Sequence, residues 1–255
     1  MPGELSEKII VLTGGGEGIG AECALAYARE GATVAILDRN REAAEHTVAK
    51  AGERCIALHT DVADGPMIES AIREVLQRFG RIDAVHNNAG IATPSSPLHE
   101  TSEEDWDYLQ AVNVKSVYWT TRFAFQALAT SKGVILNTAS MVGLIGQTDH
   151  AAYVASKGAM ISLTKAMAAD YARLSIRVNA VCPAGVWTPM LERWCAEQSN
   201  PSGIRQYLDD IHLLGPCPHG DVVADVAVFL LSHRARFMTG CIVPVSGGAE
   251  LGYRR

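Results

Sequence analysis

The sequence predicts an α/β fold built on a seven-stranded parallel sheet, and two observations carry this prediction. Seven short runs rich in β-branched and apolar residues alternate with amphipathic stretches along the chain. These runs are apolar throughout, as is typical of strands covered on both faces of a sheet. They read KIIVLTG, TVAILD, CIALHTDV, IDAVHNNAG, GVILNTAS, IRVNAVCP and CIVPVSGG. We therefore expect one doubly wound domain over residues 1–255, with helices on both faces of the sheet.

Two connecting segments show how the helices are expected to begin. Behind Asp64 and Pro66, apolar residues recur at helical spacing and predict a crossover helix between the third and fourth strands. A second helix is expected to begin at Thr101, where TSEE offers a capping box with Glu104, and to run toward Leu128.

Composition excludes several classes of function. The chain has 255 residues, 48% of them hydrophobic, and a net charge of −6 with scattered basic residues, so we expect no nucleic-acid partner. The first ten residues lack a basic segment followed by an apolar stretch, and no apolar run could span a membrane, so we expect a cytoplasmic protein. The six cysteines form no C-x-x-C pair, and we expect neither disulfides nor a metal site.

The segment at about residues 185–215 interrupts the strand–helix rhythm. It mixes large apolar side chains with asparagine, proline and glycine. The large residues are Trp187, Met190, Leu191, Trp194 and Tyr207. We interpret the segment as a mobile lid over a substrate; the alternative is an interface for a partner subunit, and both can hold.

A glycine-rich turn, TGGGEGIG at residues 13–20, follows the first strand and opens a helix. Gly14, Gly18 and Gly20 would let a pyrophosphate meet backbone N–H groups at the helix N-terminus without interference from Cβ atoms. The spacing G-x-x-x-G-x-G departs from the stricter G-x-G-x-x-G pattern of dinucleotide-binding turns.

Acidic residues near this turn favour NAD over NADP. Asp38 ends the second strand, 18 residues after Gly20, where a carboxylate can accept hydrogen bonds from both ribose hydroxyls and repel a 2′-phosphate. Glu17 adds a second negative charge, whereas Arg39 could partly offset both and keeps NADP as an alternative.

Two further strand ends are expected to face the dinucleotide. Asp61 and Val62 follow the third strand and could bracket an adenine, although Asp61 could instead cap a helix. Small residues end the fourth strand where backbone would pass close to a ligand. They are Asn88, Ala89 and Gly90.

Tyr153 and Lys157 lie four residues apart in a run of helical composition, so their side chains share one helix face. A neighbouring ammonium favours the tyrosine's phenolate form, as would the charged ring of an oxidised nicotinamide. Ser140, thirteen residues before Tyr153, could donate a hydrogen bond where negative charge develops. Taken alone, a packed ring and a solvated ammonium would explain the pair.

Together these motifs resemble the short-chain dehydrogenase/reductase family over nearly the whole chain. They are TGGGEGIG, Asp38, NNAG at residues 87–90, Asn113, Ser140 and the Y-x-x-x-K of Tyr153 and Lys157. The resemblance implies a single Rossmann domain of seven parallel strands, assembled as a homotetramer. Within the family, GGAELGY at the C-terminus and VGLIGQ are similar to L-fucose dehydrogenases and type 14 17β-hydroxysteroid dehydrogenases.

The resemblance also implies roles for individual residues. Tyr153 would be the general acid/base, Lys157 would lower its pKa and bind ribose, and Ser140 would hydrogen-bond the reacting oxygen. Asn113 would hold a water for proton relay. The expected cofactor contacts are Gly14, Glu17, Gly18, Ile19, Gly20, Asp38, Arg39, Asp61, Val62, Asn88, Ala89, Gly90, Tyr153, Lys157, Pro183, Gly185, Val186 and Thr188.

Two departures from the family pattern stand near the expected site. The Pro-Gly after the sixth strand reads Pro183-Ala184-Gly185, and Ser246 replaces an acidic residue before the final Gly-Gly. We expect the first to alter the nicotinamide loop and the second to affect the C-terminal loop. Gln147 and Trp187 match positions near the substrate in the narrower relatives, although a loop amide and a packed ring would explain them equally.

The sequence thus predicts an NAD-dependent oxidoreductase that interconverts a secondary alcohol and a carbonyl by hydride transfer. The leading substrate is a sugar similar to L-fucose, and hydroxysteroids or small cyclic alcohols are the alternative. A remote alternative from another class is an NAD-binding sensor without turnover.

Overall fold

The computed structural model describes residues 3–198 and 200–252. Seven parallel strands form one sheet, as predicted. Their bounds are β1 Ile9–Thr13, β2 Thr33–Asp38, β3 Cys55–His59, β4 Ala84–Asn87, β5 Val134–Thr138, β6 Arg177–Pro183 and β7 Ile242–Val245. The strand order is β3-β2-β1-β4-β5-β6-β7, so the direction of winding reverses between β1 and β4. In doubly wound folds, ligands bind at the carboxyl edge beside this reversal.

Ten α-helices are present in the described part of the chain. They are α1 Gly18–Arg29, α2 Arg41–Ala51, α3 Gly65–Phe79, α4 Glu103–Gln110, α5 Ser116–Ser131, α6 Val142–Ile145, α7 Ala151–Tyr171, α8 Pro189–Glu197, α9 Pro201–Asp210 and α10 Asp221–Leu231. Helices α1, α2 and α10 pack on one face of the sheet, and α3, α5 and α7 pack on the other. Each face thus has its own buried core, which confirms the predicted layers.

The two helix starts that we predicted have different outcomes. Asp64 caps α3 by accepting a hydrogen bond from the Met67 N–H, as expected. The start at Thr101 is wrong by one residue, because Ser102 caps α4 and its hydroxyl oxygen accepts from the Asp105 N–H. Thr101 instead donates its hydroxyl to the carbonyl oxygen of Pro97 in the preceding turn.

A π-helical turn at residues 111–115 joins α4 to α5. Single π turns within helices frequently occur at functional sites. Here the turn carries Asn113, whose side chain is buried. The long helix predicted toward Leu128 is therefore present, with a local irregularity at its only predicted site residue.

The segment predicted as a lid contains two short helices, α8 and α9. Thr188 and Asn200 cap them with their side chains, and each helix has proline at its first position. Ser199 lies outside the described residues, as does Tyr253 of the C-terminal GGAELGY motif. Among the described helices, none is long and apolar enough to cross a bilayer. Whether α8 and α9 move stays a prediction.

Candidate active site

The glycine-rich turn has the close contacts that only glycine allows. Gly14 has a φ of +65°, and a Cβ there would lie 2.8 Å from the Ala89 Cα. A Cβ on Gly20 would lie 1.9 Å from the Gly14 carbonyl oxygen. Helix α1 begins at Gly18, so its free N–H groups face the carboxyl edge of the sheet. The turn and the helix N-terminus therefore fit a pyrophosphate.

Asp38 is tied to the same turn. One carboxylate oxygen accepts a hydrogen bond from the Gly16 N–H at 2.9 Å, and the other accepts from the Asn40 N–H at 2.9 Å. Two oxygens offer about four acceptor positions, so the carboxylate keeps capacity for two ribose hydroxyls. The site therefore fits an unphosphorylated ribose.

Asn88 fixes the opposite side of the turn. Its side-chain amide donates to the Gly14 carbonyl oxygen at 2.9 Å, and its backbone N–H donates to the Thr13 hydroxyl at 3.0 Å. Ala89 donates its N–H to the same hydroxyl at 3.1 Å. The small residues predicted at the end of β4 thus contact the glycine turn directly.

A buried chain of hydrogen bonds leads from α1 to Asn88. Thr138 donates to the Asn88 side-chain oxygen at 3.3 Å, so its own oxygen accepts from His86 Nε2 at 2.9 Å. His86 Nδ1 then accepts from the Tyr27 hydroxyl at 2.8 Å. Burial lowers the pKa of His86 to about 3, which keeps the ring neutral and in this tautomer.

The charged side chains that we expect to decide between NAD and NADP make contacts with other residues in the structure. Glu17 accepts a hydrogen bond from the Arg193 guanidinium of α8 at 3.0 Å, and both side chains are about half exposed. Arg39 donates to the Tyr108 hydroxyl at 2.9 Å. The charge of Glu17 is therefore partly neutralised, and Asp38 carries most of the argument against a 2′-phosphate.

The residues after β3 lie at the same edge. Asp61 accepts from the Ala63 N–H at 2.9 Å, and Val62 is buried in the core. Asp61 does not cap α3, since Asp64 has that position. Ile19, in the first turn of α1, packs against the core on its own face of the sheet.

Ser140, Tyr153 and Lys157 come together as predicted. Ser140 follows β5, and the other two lie on α7. The Lys157 ammonium is 5.7 Å from the centre of the Tyr153 ring and donates to the Thr138 carbonyl oxygen at 2.8 Å. Burial lowers the pKa of Lys157 to about 8.

The direction expected for the Tyr153 pKa is reversed in this structure. Burial raises the pKa of Tyr153, because a phenolate loses hydration, and the hydrogen bond with Ser140 only partly opposes this. The expectation rested on two positive charges, the ammonium and a charged nicotinamide. In this structure the group that opposes the loss of hydration is Ser140 rather than Lys157.

Asn113 makes three hydrogen bonds with its side chain. Its oxygen accepts from the Ile91 N–H at 2.8 Å, and its amide donates to the Ile91 carbonyl at 2.9 Å and to the Ser156 hydroxyl at 3.0 Å. A Cβ on Gly90 would lie 3.3 Å from both Asn113 and the Lys157 ammonium. Asn113 therefore holds the loop after β4 against α7, and its water-holding role stays a prediction.

The loop after β6 leads from the site to α8. The Pro183 carbonyl accepts from the Met141 N–H at 2.8 Å, and Val186 is buried. Thr188 caps α8, and its side chain would meet a Cβ on Gly18 at 3.1 Å. Gly185 lies against His212, where a Cβ would approach the ring to 3.3 Å.

The two predicted substrate residues lie in different surroundings. Gln147 is exposed, whereas Trp187 is stacked under the Arg205 guanidinium at 4.9 Å. A cavity of about 220 Å³ opens beside Met141, the residue after Ser140. It is lined by Met141, Ile145, Tyr207, Ile211 and Ala249. This lining is apolar apart from the tyrosine hydroxyl.

Sequence reasoning missed several residues that the structure places around the site. Arg193 contacts Glu17, and Ser95 contacts both Trp194 and His150. Only His150 had a local signal, because it precedes Tyr153 by three residues and so shares its helix face. In the described residues, no group of three or more His, Cys, Asp or Glu side chains could hold a metal ion.

Comparisons with known proteins agree with this geometry. Residues 14–250 match the family model described as enoyl-(acyl carrier protein) reductase. The chain is 39% identical to meso-2,3-butanediol dehydrogenase of Serratia marcescens, over 95% of this chain and 94% of the relative. It is 38% identical to L-fucose dehydrogenase of Bos taurus, over 97% of this chain and 91% of the relative.

A solved structure shows the same architecture. The 3-ketoacyl-(acyl-carrier-protein) reductase from Brucella melitensis, complexed with NADH, superimposes with a TM-score of 0.88 and 31% identity. The match covers 96% of this chain and 99% of that one. The chain belongs to the short-chain dehydrogenase/reductase family, and it is an oxidoreductase that acts on CH–OH groups.

Proposed function

We propose that this protein is an NAD-dependent dehydrogenase of a small secondary alcohol, with Tyr153 as its general acid/base. The observation that carries the proposal is the meeting of Ser140, Tyr153 and Lys157 at the sheet edge that holds the glycine turn and Asp38. The structure of a relative with bound NADH, at 31% identity, supports the choice of cofactor.

A nicotinamide held at this edge of the sheet would supply the hydride-transfer chemistry, and the charge of its oxidised ring would favour the Tyr153 phenolate. Tyr153 takes the proton from the alcohol oxygen, or returns it in the reverse direction. Ser140 donates a hydrogen bond to the same oxygen as charge develops on it. Lys157, anchored on Thr138, supplies positive charge beside the phenol and binds ribose.

The proposed preference for NAD over NADP rests on Asp38. Its carboxylate is already held by two backbone N–H groups, so it is oriented before ribose binds. A 2′-phosphate would meet this fixed negative charge, and Arg39 is engaged by Tyr108. We therefore expect NAD to bind more tightly than NADP.

Two observations point to different substrates. The similarity to an L-fucose dehydrogenase at 38% identity favours a sugar. The mainly apolar cavity beside Met141, if the substrate enters it, favours a small cyclic or otherwise apolar alcohol, because a sugar site needs polar groups for several hydroxyls. We propose the sugar as the first substrate to test and the cyclic alcohol as its competitor.

We also propose a homotetramer in the cytoplasm. Large apolar side chains are exposed on separate faces, including Tyr118 on α5 and Phe237 before β7, as expected where subunits meet. All six cysteines are free, which suits a reducing compartment. Multi-angle light scattering would give the mass, and a monomer would exclude the tetramer.

The test is the appearance of NADH absorbance with purified protein and a panel of alcohols. The panel contains L-fucose, other aldoses, meso-2,3-butanediol, cyclopentanol and a 17β-hydroxysteroid, each with NAD and with NADP. Turnover with L-fucose would support the sugar, and turnover confined to the cyclic or steroid alcohols would replace it. If no alcohol is oxidised and no matching ketone is reduced, the proposal is wrong.

A further inference from the structure

A chain of hydrogen bonds joins α8 to the start of the helix that bears Tyr153. The Trp194 indole N–H donates to the Ser95 hydroxyl oxygen at 3.1 Å. The same oxygen lies 2.9 Å from His150 Nε2, and His150 Nδ1 lies 2.9 Å from the Thr148 carbonyl oxygen. We call this the Trp194–Ser95–His150 chain.

The direction of each bond follows from the donors available. A carbonyl oxygen only accepts, so His150 Nδ1 carries the proton. In the neutral ring Nε2 then accepts, and the Ser95 hydroxyl must donate to it. The Ser95 oxygen in turn accepts from Trp194, which can only donate. One placement of the hydrogen atoms therefore gives each of these hydrogen bonds one donor and one acceptor.

His150 lies at the beginning of α7. Its side chain is buried, its ring meets the Trp194 ring at 6.0 Å, and its carbonyl accepts the Val154 N–H at 2.8 Å. Its backbone also bridges to Ser96. Because Tyr153 is three residues further on, the orientation of His150 sets the first turn from which Tyr153 projects.

Two adjacent residues in the middle of α8 contact different parts of the site. Arg193, the preceding residue, reaches Glu17 at the glycine turn, whereas Trp194 reaches Ser95 in the loop after β4. Adjacent residues of α8 therefore contact the cofactor side and the side next to Tyr153. Loss of one contact should leave the other in place.

We propose that Ser95 and His150 are positioning residues that hold α8 closed against the first turn of α7. The proposal rests on the proposed function, because its kinetic readout needs an alcohol that the protein oxidises. The Ser95 hydroxyl links Trp194 to His150 by a hydrogen bond to each, so the position of α8 is coupled to that of His150. Breaking the chain should raise the KM for the alcohol, with less effect on kcat and none on the affinity for NAD.

The first test compares Ser95→Ala with Ser95→Thr. Alanine removes the hydroxyl, and we expect the KM for the alcohol to rise about tenfold, the effect of one lost hydrogen bond of ordinary strength. Threonine keeps the hydroxyl and should restore KM to within about twofold. An unchanged KM in Ser95→Ala, or a threonine variant as impaired as the alanine variant, would overturn the proposal.

The second test uses Trp194→Phe, which keeps an aromatic ring against His150 and removes the N–H. Trp194→Phe should raise the KM for the alcohol about as much as Ser95→Ala does. The double variant should raise the KM little further, because both changes break the same chain of hydrogen bonds. Additive effects would contradict a shared chain.

Hydrogen exchange provides a readout without turnover. We expect faster exchange of α8 amides in Ser95→Ala and Trp194→Phe but not in Ser95→Thr, with unchanged exchange in β1 and α1. If wild-type protein oxidises no alcohol, the proposed function fails while this measurement still decides the chain. Equal exchange in all variants would contradict the positioning role.

Discussion

The cofactor edge of the sheet and helix α8 are held by different kinds of contact. At the edge, Asn88, Thr138 and His86 form a largely buried network that fixes the glycine turn. Helix α8 is tied to the same turn by the Arg193–Glu17 pair, whose side chains are 61% and 48% exposed. Buried bonds are costly to break, whereas exposed ion pairs contribute little. The cofactor edge is thus held mainly by buried hydrogen bonds, whereas an exposed ion pair attaches α8 to the same turn.

The difference has a consequence for substrate choice within the family. The groups proposed for proton transfer and cofactor binding lie on the rigid side, at the ends of β1, β2 and β5 and on α7. The residues that line the apolar cavity come from α6, α9 and the segment after β7. Changes in these loops and short helices can alter the substrate while the reaction stays the same.

The largest effect is expected from Gly20→Ala, which tests the rigid side. The new Cβ would meet the Gly14 carbonyl 1.9 Å away, so the turn must move. We expect the Kd for NAD to rise at least about a hundredfold, measured by calorimetry, because displaced N–H groups no longer meet the pyrophosphate. The control is Gly158→Ala on α7, where a Cβ has its nearest neighbour at 3.9 Å. Equal binding by both variants would contradict the geometry.

A smaller effect is expected at Asp38. Removal of the carboxylate in Asp38→Ala should raise the Kd for NAD roughly tenfold to a hundredfold, the effect of losing charge-assisted hydrogen bonds. The affinity for NADP should change less, so the ratio of the affinity for NAD to that for NADP should fall. Asp38→Asn is the closest comparison in shape: it removes the charge and one of the two acceptor oxygens, so it can accept from the Gly16 N–H or the Asn40 N–H but not from both. An unchanged ratio of the two affinities would remove Asp38 from cofactor selection.

The buried network also predicts acid sensitivity. His86 stays neutral in the folded protein until about pH 3, whereas in the unfolded chain it gains a proton below about pH 6.5. The unfolded state therefore binds more protons across this window, and stability falls as the pH falls. His86 alone should account for a loss of about 4 kcal/mol between these limits, because the slope is about 1.4 kcal/mol for each pH unit in the middle of the window and smaller near both pKa values.

Urea unfolding at several pH values would measure this loss. A Tyr27→Phe/His86→Leu double variant removes both polar partners and should have a shallower loss of stability in acid. Tyr27→Phe alone keeps the histidine and should retain the wild-type pH dependence. If the double variant and wild type lose stability in parallel, His86 is not the group that titrates.

The smallest effect is expected at the lid. Arg193→Gln breaks the exposed pair with Glu17, and such pairs are worth about 0.2–1 kcal/mol. We expect no more than about a fivefold rise in the Kd for NAD, the equivalent of about 1 kcal/mol. Glu17→Gln should have a similar effect, and the double variant should add little. A rise as large as that of Asp38→Ala would show that α8 is as firmly attached as the rigid side.

Most of the fold could be predicted from sequence, and the exceptions have physical reasons. The apolar runs predicted all seven strands; burial on both faces requires the central strands to be apolar, whereas the edge strands β3 and β7 are only partly buried. The start of α4 was misplaced because Thr101 and Ser102 can both cap a helix, and contacts with Pro97 engage Thr101. The π turn carries Asn113 into hydrogen bonds with Ile91, 22 residues away, and local sequence does not reveal such a contact.

The sequence predicted those site contacts whose residues lie a few positions apart along the chain. Tyr153 and Lys157 are four residues apart, so the sequence alone brings them together. The Arg193–Glu17 pair spans 176 residues and the Trp194–Ser95 bond spans 99, so neither leaves a local pattern. The raised pKa of Tyr153 was missed because burial depends on the whole fold.

We propose that Tyr153 transfers the proton and that the site binds NAD whether or not the Tyr153 hydroxyl is present. Tyr153→Phe and a control, Tyr171→Phe at the far end of α7, should therefore be compared for turnover and for NAD affinity. We predict a loss of turnover of about 10²- to 10⁴-fold in Tyr153→Phe alone, with NAD affinity close to wild type in both variants. Turnover at the wild-type rate in Tyr153→Phe would contradict it.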